Sequence, residues 1–325
     1  TQDSVIGLHY LTKLKPASDR SKIKFFSTYE EVMMALDGKT VGLHDEIRYL
    51  PPSKDRQSSS RAIVTTPGRV ILNKILPAEL TFMNDTFTKK KLVDLVDRSL
   101  KLLGSQQAAR LLDNLKIIGF EFATVSGLTI GIDDMIVPSQ KDAIWKQTEK
   151  EVTRINSAFK EGLLSETERY NKVVDTWTRA SIEIEDALID SLEKDQDGFN
   201  PIHMMVNSGA RGSRQQACQI SGLRGLMSKP QRKIIGLEVI ETPIKSSCKE
   251  GLSVLEYFIS THGSRKGLTD TALKTADAGY LTRRLVDVAQ NVTITMEDCE
   301  TILGQEMGAL KEAEKIVESL AERIA

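Results

Sequence analysis

Residues 139–193 most restrict the fold of this chain, because mainly apolar side chains recur there at helical spacing over two long stretches. The residues that line the two stretches are Ile144, Thr148, Val152, Ile155 and Phe159, then Tyr170, Val173, Val174, Trp177, Ile184 and Leu188. Gly162-Leu163-Leu164-Ser165 interrupts the pattern, and acidic residues after Ser165 are typical of a capped helix start. The sequence therefore predicts an antiparallel helical hairpin.

Charge changes sign at the end of this predicted hairpin. Residues 139–197 carry 9 Lys or Arg against 14 Asp or Glu, whereas residues 198–237 carry 6 Lys or Arg and no acid. The net charge of −1 for the whole chain hides this division. An acidic surface repels phosphate, so we expect the hairpin either to bind a protein or to be a solvated structural arm. The basic stretch is suited to phosphate.

Residues 1–80 combine helical and extended signals, which indicates an α+β segment. Tyr29–Leu36 is predicted as a helix that ends at Asp37-Gly38, and Ile63–Thr66 and Val70–Leu72 are β-branched runs on either side of Pro67-Gly68 that we predict as extended. A loop is expected at Pro51–Ser53 and Gln57–Ser60.

The remaining segments are mainly helical by periodicity. Two core helices are predicted after Thr88, one closed by Gly104 and the next by Gly119. Thr129–Pro138 is predicted as extended and as ending at a helix-starting Ser139. A long helix is predicted over Leu252–Ala289. A closing helical region is expected over Thr295–Ala325, from the spacing of Leu310, Ala313, Ile316, Val317 and Leu320.

Several chemistries are excluded by residue content. The three cysteines, Cys218, Cys248 and Cys299, are far apart and predict buried reduced thiols rather than a disulfide framework or a zinc site. The histidines lack metal-ligand spacing, and Asp133 and Asp134, as neighbours on a strand, would point to opposite faces. We expect no catalytic residue, no metal site and no membrane span in this chain. The first residues lack a secretory signal pattern, which predicts a cytoplasmic location and a piece of a longer protein.

Two motifs are candidates for binding chemistry. In Asn207–Arg214, glycines allow close backbone approach around Arg211, whose guanidinium can pair bidentately with phosphate; the alternative is a surface turn with a solvated arginine. In Ser260–Arg284, small residues are combined with Lys266, Asp270 and Lys274 on one helical face. That pattern suits a helix lying along a phosphodiester chain, or else a buried helix that packs tightly through its small residues.

These two motifs carry a resemblance to a known family. Asn200–Pro230 resembles the F-loop region of the β′ subunit of bacterial-type DNA-directed RNA polymerase, and Glu241–Gln290 resembles its bridge helix. Weaker matches in the family's order extend the resemblance over nearly the whole chain. They lie at Thr1–Thr12, Thr65–Val70 and Thr129–Met135. The acidic hairpin corresponds to the family's rim helices, which border the secondary channel where regulatory factors dock.

The resemblance implies roles for particular residues. Arg211 matches the arginine near the incoming nucleoside triphosphate. The bridge-helix positions that support the template, the trigger loop and the DNA are matched by Arg265, Lys274, Thr275, Ala276, Tyr280 and Arg283. Positive charge near a triphosphate and a small-faced helix under a base pair fit phosphoryl transfer.

The resemblance also implies what this chain does not contain. The aspartate-rich loop that holds catalytic magnesium, the trigger loop and the family's zinc sites are absent from the sequence, so magnesium is expected in the complete polymerase with ligands outside this chain. Between Pro230 and Glu241 the chain is a few residues longer than the family pattern. Expected partners are the β, α and ω subunits, the rest of β′, DNA template, RNA, nucleoside triphosphates and secondary-channel factors, in a nucleoid-associated cytoplasmic location.

The predicted fold is mostly α with a small α+β N-terminal part, a long antiparallel helical hairpin and a long bridge helix. The predicted divisions are an α+β segment following the catalytic barrel (1–80), a helical funnel part (81–138), the rim hairpin (139–197), the F-loop region (198–250), the bridge helix (251–290) and a helical segment leading toward the trigger loop (291–325).

The leading hypothesis is a polymerase β′ fragment that supports nucleotide addition and is not catalytic alone. The alternative is a non-catalytic docking module whose acidic hairpin binds regulatory proteins. A free-standing nucleic-acid binder is disfavoured because the chain is not basic overall.

Overall fold

The computed structural model describes residues 2–15, 23–51, 62–77, 79–229, 239–301, 304, 306–312, 315–320 and 323. The chain divides into two compact units, residues 1–265 and residues 266–325. The described part is mostly helical with one small sheet in the first unit, which confirms the predicted fold class. None of the helices in this described part has the length and apolar character needed to cross a membrane.

The N-terminal part combines three short strands with three helices. Strand β1 (Phe25–Phe26) pairs parallel with β2 (Ile47–Tyr49), which pairs antiparallel with β3 (Ile63–Thr65). The helices of this part are α1 (Gln2–Thr12), α2 (Tyr29–Asp37) and α3 (Pro67–Ile75). The predicted α+β character of this segment is therefore confirmed.

Side-chain caps at the first turns of α2 and α3 fix where these two helices begin. Thr28 and Glu31 form a reciprocal capping box at the start of α2, which is the predicted helix. The extended prediction for Val70–Leu72 is wrong. Thr66 accepts a hydrogen bond from the backbone of Arg69, and Pro67 occupies the first turn, so these β-branched residues lie in α3. Apart from Pro51, the loop predicted at Pro51–Ser53 and Gln57–Ser60 lies outside the described residues.

Helix α4 (Lys89–Ser126) bends at Gly104, whose φ of +77° is non-helical, and then continues past Gly119. The prediction that Gly119 ends the helix is wrong, because this glycine serves the crossing of α1 over α4. A Cβ on Gly119 would lie 2.7 Å from the Cα of Ser4, and one on Gly7 would lie 1.8 Å from the Gly119 carbonyl oxygen. The two backbones can approach this closely only because both residues lack side chains.

Residues 128–138 contain a turn where an extended stretch was predicted. The Gly131 N–H donates to the Asp134 carboxylate at 2.7 Å, and the Met135 N–H donates to the Ile132 carbonyl at 3.3 Å. Ser139 is not a helix cap, because α5 (Lys141–Lys160) begins two residues later, after a turn in which Lys141 N–H donates to the Pro138 carbonyl. That prediction is wrong.

Helices α5 and α6 (Glu166–Lys194) form the predicted hairpin. Ser165 and Glu168 make a reciprocal capping box at the start of α6, as their spacing indicated. The rings of Trp145 and Trp177 lie 4.5 Å apart between the helices. The buried cluster on the hairpin consists of Val173, Trp177 and Ala180, with Ile144, Val152 and Ile155 packed against it. Burial of this apolar face is what holds the two helices together.

The segment after the hairpin folds back against α6. It contains α7 (Pro201–Ser208), α8 (Arg214–Ala217) and a π-helical turn at Cys218–Gly222. A buried cluster joins these elements to the C-terminal half of α6, and its members are Ile184, Leu188, Leu192, Ile202, Ala217, Cys218 and Leu223. Two isolated bridges, Gly225 with Ile244 and Ser228 with Val239, then pair residues 224–229 with residues 239–246. We call this pairing the ladder.

Helix α9 (Val254–Ala289) confirms the long helical pattern, and residues 271–289 are exposed throughout. The helix predicted over the C-terminal residues is wrong for residues 310–312 and 315–318. These residues form β4 (Leu310–Glu312) and β5 (Lys315–Glu318), paired antiparallel. Ile316 and Val317 are adjacent β-branched residues, and such residues favour the extended conformation.

Candidate nucleic-acid interface

Arg211 projects from a turn that two glycines shape. The N-cap Asn200 starts α7, and the helix ends at Gly209 with a φ of +71°, while Gly212 has a φ of +79°. A side chain at either position would be strained, so the turn requires glycine on both sides of Ala210-Arg211. Arg211 is exposed, and within the described part of the chain its guanidinium makes no hydrogen bond or ion pair. This cation is available to a ligand.

Arg214, three residues later, is held by the hairpin. Its guanidinium donates to Asp186 at 2.8 Å and lies 3.5 Å from the carboxylate of Glu185, both on α6. Ser213 and Gln216 form a capping box that fixes the turn after Arg211. Two arginines that look equivalent in the sequence are therefore different, because α6 neutralises one and leaves the other for an external anion.

The middle of α9 presents its candidate residues to solvent. Lys274, Thr275 and Ala276 are consecutive exposed positions, and the Thr275 hydroxyl donates to the carbonyl of Thr271 at 2.7 Å. No ion pair is formed by Lys274 among the residues the structure describes. The alternative of a helix buried through its small residues does not describe residues 271–289, which are exposed. A Cβ on Gly267 would meet no atom within 4 Å.

The C-terminal half of α9 carries the other candidates. Tyr280 is 62% exposed, and the guanidinium of Arg284 lies 4.5 Å from the centroid of its ring. Arg283 lies 3.9 Å from Asp287, a contact between exposed side chains that contributes little by itself. Arg265 is also exposed and belongs to the first unit. The helix thus carries several cations along an exposed surface.

The start of α9 is fixed by local hydrogen bonds. Ser253 N–H and hydroxyl donate to the Glu256 carboxylate at 2.9 and 2.8 Å, and Glu256 N–H donates back to the Ser253 oxygen at 3.3 Å. These bonds hold the pKa of Glu256 below its ordinary value. A fixed first turn sets where the helix begins and how its first residues are oriented.

The segment before α9 is tied to the base of the hairpin. The buried Lys141 pairs with Glu250, and Lys245 pairs with Asp142 at 2.7 Å. Hydrogen bonding and attraction from Lys141 outweigh burial and hold the pKa of Glu250 below its ordinary range, although burial is the largest single effect and opposes them. Two ion pairs to the base of the hairpin therefore hold the residues just before α9 in place.

Three histidines and Lys13 lie in a buried cluster of the first unit. Burial lowers the pKa of His9 to about 4 and that of Lys13 to about 8, and it also lowers the pKa of His44 and His203. Lys13 donates to the Gly198 carbonyl and lies over the ring of Phe199. Neutral histidines and a satisfied lysine indicate a structural core.

The described residues do not assemble a magnesium site. Asp134 accepts from the Gly131 N–H and from the amide of Gln196 at 3.3 Å, so its carboxylate is engaged in a turn. No group of three metal-binding side chains occurs within the described ranges. Of the three free cysteines Cys218 is buried, but Cys248 and Cys299 are exposed, so the prediction of buried thiols is wrong for those two.

Sequence reasoning did not identify the contacts between the hairpin and the ladder. Arg169 binds Glu241 through two hydrogen bonds, and Tyr170 bonds to the backbone of Val239. These partners lie about 70 positions apart in the chain, and no local pattern pairs them. Only the fold brings them together.

Three family models match successive parts of the chain. They are RNA polymerase Rpb1 domain 3 over residues 1–135, domain 4 over residues 164–247 and domain 5 over residues 251–324.

Curated relatives match across the whole chain. The chain is 48% identical to the DNA-directed RNA polymerase subunit beta' of Treponema pallidum over 324 residues, 46% identical to that of Moorella thermoacetica over 327, and 44% identical to that of Salinibacter ruber over 328. Each of these alignments covers 100% of the chain and 22%, 27% and 22% of the respective relative. The chain thus spans about a quarter of the length of these relatives.

Proposed function

The chain belongs to the β′ subunit family of bacterial-type DNA-directed RNA polymerase, as a segment of that subunit, and we propose that it supports template-directed nucleotide addition without supplying the catalytic metal ligands. In this proposal the hairpin α5–α6 borders the secondary channel, residues 198–250 form the F-loop region, and α9 is the bridge helix. The observation that carries the proposal is the exposure of α9 over residues 271–289, which include apolar and small side chains.

Exposure of this kind is costly for an isolated helix. Leu268, Leu273 and Leu285 are each at least 60% exposed, and the glycines at 267 and 279 have open space around them. Such a helix gains stability only when other surfaces cover it. We propose that the β subunit, other parts of β′ and the template with its transcript provide this cover, and that small residues let a base pair approach the backbone.

The cations serve the anionic substrates in this proposal. Arg211 is the group that meets the incoming triphosphate, because its guanidinium has no partner among the described residues and its turn is held by two glycines and a capping box. Lys274, Thr275, Ala276, Tyr280 and Arg283 are proposed to face the template and the moving parts of the active centre, with Arg265 near the start of that surface. Magnesium is proposed to be held by residues elsewhere in the complete enzyme.

Single-nucleotide addition by the complete polymerase tests these assignments. Each charge-assisted hydrogen bond to a phosphate contributes about 1.5–3 kcal/mol, so Arg211→Ala and Lys274→Ala should each slow addition by about 10- to 100-fold. Arg179→Ala and Lys172→Ala are matched controls, since both residues are exposed on α6. Wild-type rates in both test variants would contradict the proposal.

A second function is favoured by the acid on the hairpin. Residues 139–197 carry 14 acidic against 9 basic residues, and most of these charges are exposed. We propose that this surface docks secondary-channel regulatory proteins that present basic residues. Capture of a transcript-cleavage factor by the complete polymerase should fall at least tenfold when Glu149, Glu151 and Glu161 are replaced by lysine, a loss of about 1.4 kcal/mol. Equal capture would contradict docking and leave the support of nucleotide addition untouched.

A further inference from the structure

The hairpin contacts the end of the ladder near its tip through the side chains of Arg169, Tyr170 and Glu241. Arg169, in the first turn of α6, donates from both terminal nitrogens to the two carboxylate oxygens of Glu241, at 2.8 and 3.0 Å. The Tyr170 hydroxyl donates to the Val239 carbonyl at 2.9 Å and accepts from the Val239 N–H at 3.0 Å. Both backbone polar groups of Val239 are therefore bound by one side chain. A backbone position held in both directions cannot slip along its partner without breaking these bonds.

This contact is partly shielded from water, which strengthens it. The side chain of Arg169 is 16% exposed and lies over the ring of Phe159 at 5.4 Å. Lys229 lies over the ring of Tyr170 at 5.6 Å, on the other strand of the ladder. Hydrogen bonding to Arg169 holds the pKa of Glu241 below its ordinary value, so the carboxylate stays charged near neutral pH. A bidentate, partly buried pair is much more directional than a surface ion pair.

Backbone hydrogen bonds continue along the ladder from the residues that the hairpin holds. Ile240 N–H donates to the Met227 carbonyl at 2.7 Å, and Gly225 and Ile244 exchange hydrogen bonds of 3.1 and 2.9 Å. Arg224 N–H then donates to the Ser246 carbonyl at 3.2 Å. Leu226, within the ladder, packs against Val173 and Trp177 of the hairpin. The pairing therefore runs alongside the hairpin from its tip region.

At its other end the ladder reaches both parts of the candidate site. One strand follows the π-helical turn Cys218–Gly222, which comes after α8 and the turn of Arg211. The other continues through Cys248 and Lys249, whose N–H groups donate to the carbonyls of Gln219 and Ile220 at 3.3 and 3.0 Å, and then to the Ser253 cap of α9. A shift of one residue in the ladder would alter the placement of every side chain downstream.

We propose that Arg169, Tyr170 and Glu241 are positioning residues for nucleotide addition, which hold the ladder in register and thereby orient the Arg211 turn and the start of α9. This inference rests on the proposed function of the chain. None of the three is proposed to touch substrate. Their effect passes through the backbone of residues 239–250.

A charge swap in the complete polymerase tests the inference. The variants are Arg169→Glu, Glu241→Arg, the double swap and Tyr170→Phe, with Arg179→Glu as a control on an exposed face of α6. Two quantities are measured: amide hydrogen exchange of Ile240 and Ile244, and the KM and kcat of single-nucleotide addition. Each single reversal should speed exchange and raise KM by at least about fivefold, the lower end of usual coupling between sites. The double swap should restore both quantities to within about twofold of wild type.

The outcomes separate this inference from the proposed function. Restoration by the double swap, with an unaffected Arg179→Glu control, supports positioning. Faster exchange with unchanged KM and kcat would show a purely structural clamp and overturn the inference. Unchanged exchange in both single reversals would overturn it as well. If either of these results is found and Arg211→Ala still slows nucleotide addition, the proposed function stands and only the positioning role is lost. A wild-type rate of addition by Arg211→Ala would count against the proposed function itself, whatever the charge swap shows.

Discussion

Helices α6 and α9 have similar lengths, 29 and 36 residues, and opposite surroundings. The buried residues of α6 recur at helical spacing and contact α5, α7, α8 and the ladder, whereas the described part of α9 has Ser260 as its buried residue. Helix stability in proteins comes mainly from packing of one face. The first helix is therefore held by its own chain, whereas residues 271–289 of the second are exposed.

The largest expected effect is on the buried face of α6. Leu188 is fully buried, so Leu188→Ala should lower the free energy of unfolding of the chain by about 2–5 kcal/mol. The same substitution at Leu273, which is 61% exposed on α9, should change it by less than about 0.5 kcal/mol. Urea unfolding followed by tryptophan fluorescence measures both, because Trp145 and Trp177 lie in the hairpin. Equal losses would break the contrast between the two helices.

A pH effect of about 3 kcal/mol should arise in the buried histidine cluster of the first unit. Burial lowers the pKa of His9 from 6.5 to about 4, and its Nδ1 lies 2.8 Å from the Phe87 carbonyl oxygen, while Nε2 has no partner in the described part. The unfolded chain takes up the proton first. The contribution is therefore fully present above pH 6.5 and is lost as the pH falls to about 4.

The control for this pH effect is His9→Gln, which keeps a donor for Phe87 and does not titrate. Urea unfolding at a series of pH values between 4 and 7 should show a shallower loss of stability in the variant than in the parent chain. Identical pH profiles would mean that His9 is not the group responsible, and the assignment of this cluster to the rigid core would fail.

The smallest expected effect compares glycines in packed and exposed helices. Gly7→Ala should destabilise the chain by about 1–3 kcal/mol, because the new Cβ would overlap the backbone of Gly119. Gly279→Ala on α9 meets no atom within 4 Å and should instead favour the helix by about 1 kcal/mol. Circular dichroism at 222 nm reports the gain and urea unfolding the loss. A loss of helicity in Gly279→Ala would reveal packing around α9 within the chain itself.

Local sequence signals predicted elements whose stabilising contacts are close in the chain. The hairpin was predictable because its apolar residues repeat every three or four positions and because Ser165 and Glu168 stand at capping distance. The start of α3 was missed, since the β-branched run Val70–Leu72 outweighed the cap at Thr66. The β4–β5 pairing was missed for the related reason that a short apolar repeat fits both a helix and a strand.

The candidate site shows the same division. Glycine and arginine content identified the Arg211 turn, and small residues with cations identified the middle of α9. The sequence could not tell that α6 neutralises Arg214 while Arg211 has no ion pair within the described part of the chain, nor that Arg169 meets Glu241. These distinctions depend on which helix face lies opposite, and that is fixed by packing across many positions.

The amino-acid sequence by itself determined the family, the two long helices of the hairpin, the extent of α9 and the separation of acidic from basic segments, because periodicity, caps and composition act over a few neighbouring residues. The tertiary structure decided which cations are neutralised, where glycines permit two backbones to cross, and how the hairpin tip holds the ladder. The physical reason is distance along the chain: contacts such as Arg214 with Asp186, 28 positions apart, and Arg169 with Glu241, 72 positions apart, follow from the burial of whole faces, and no local pattern encodes them.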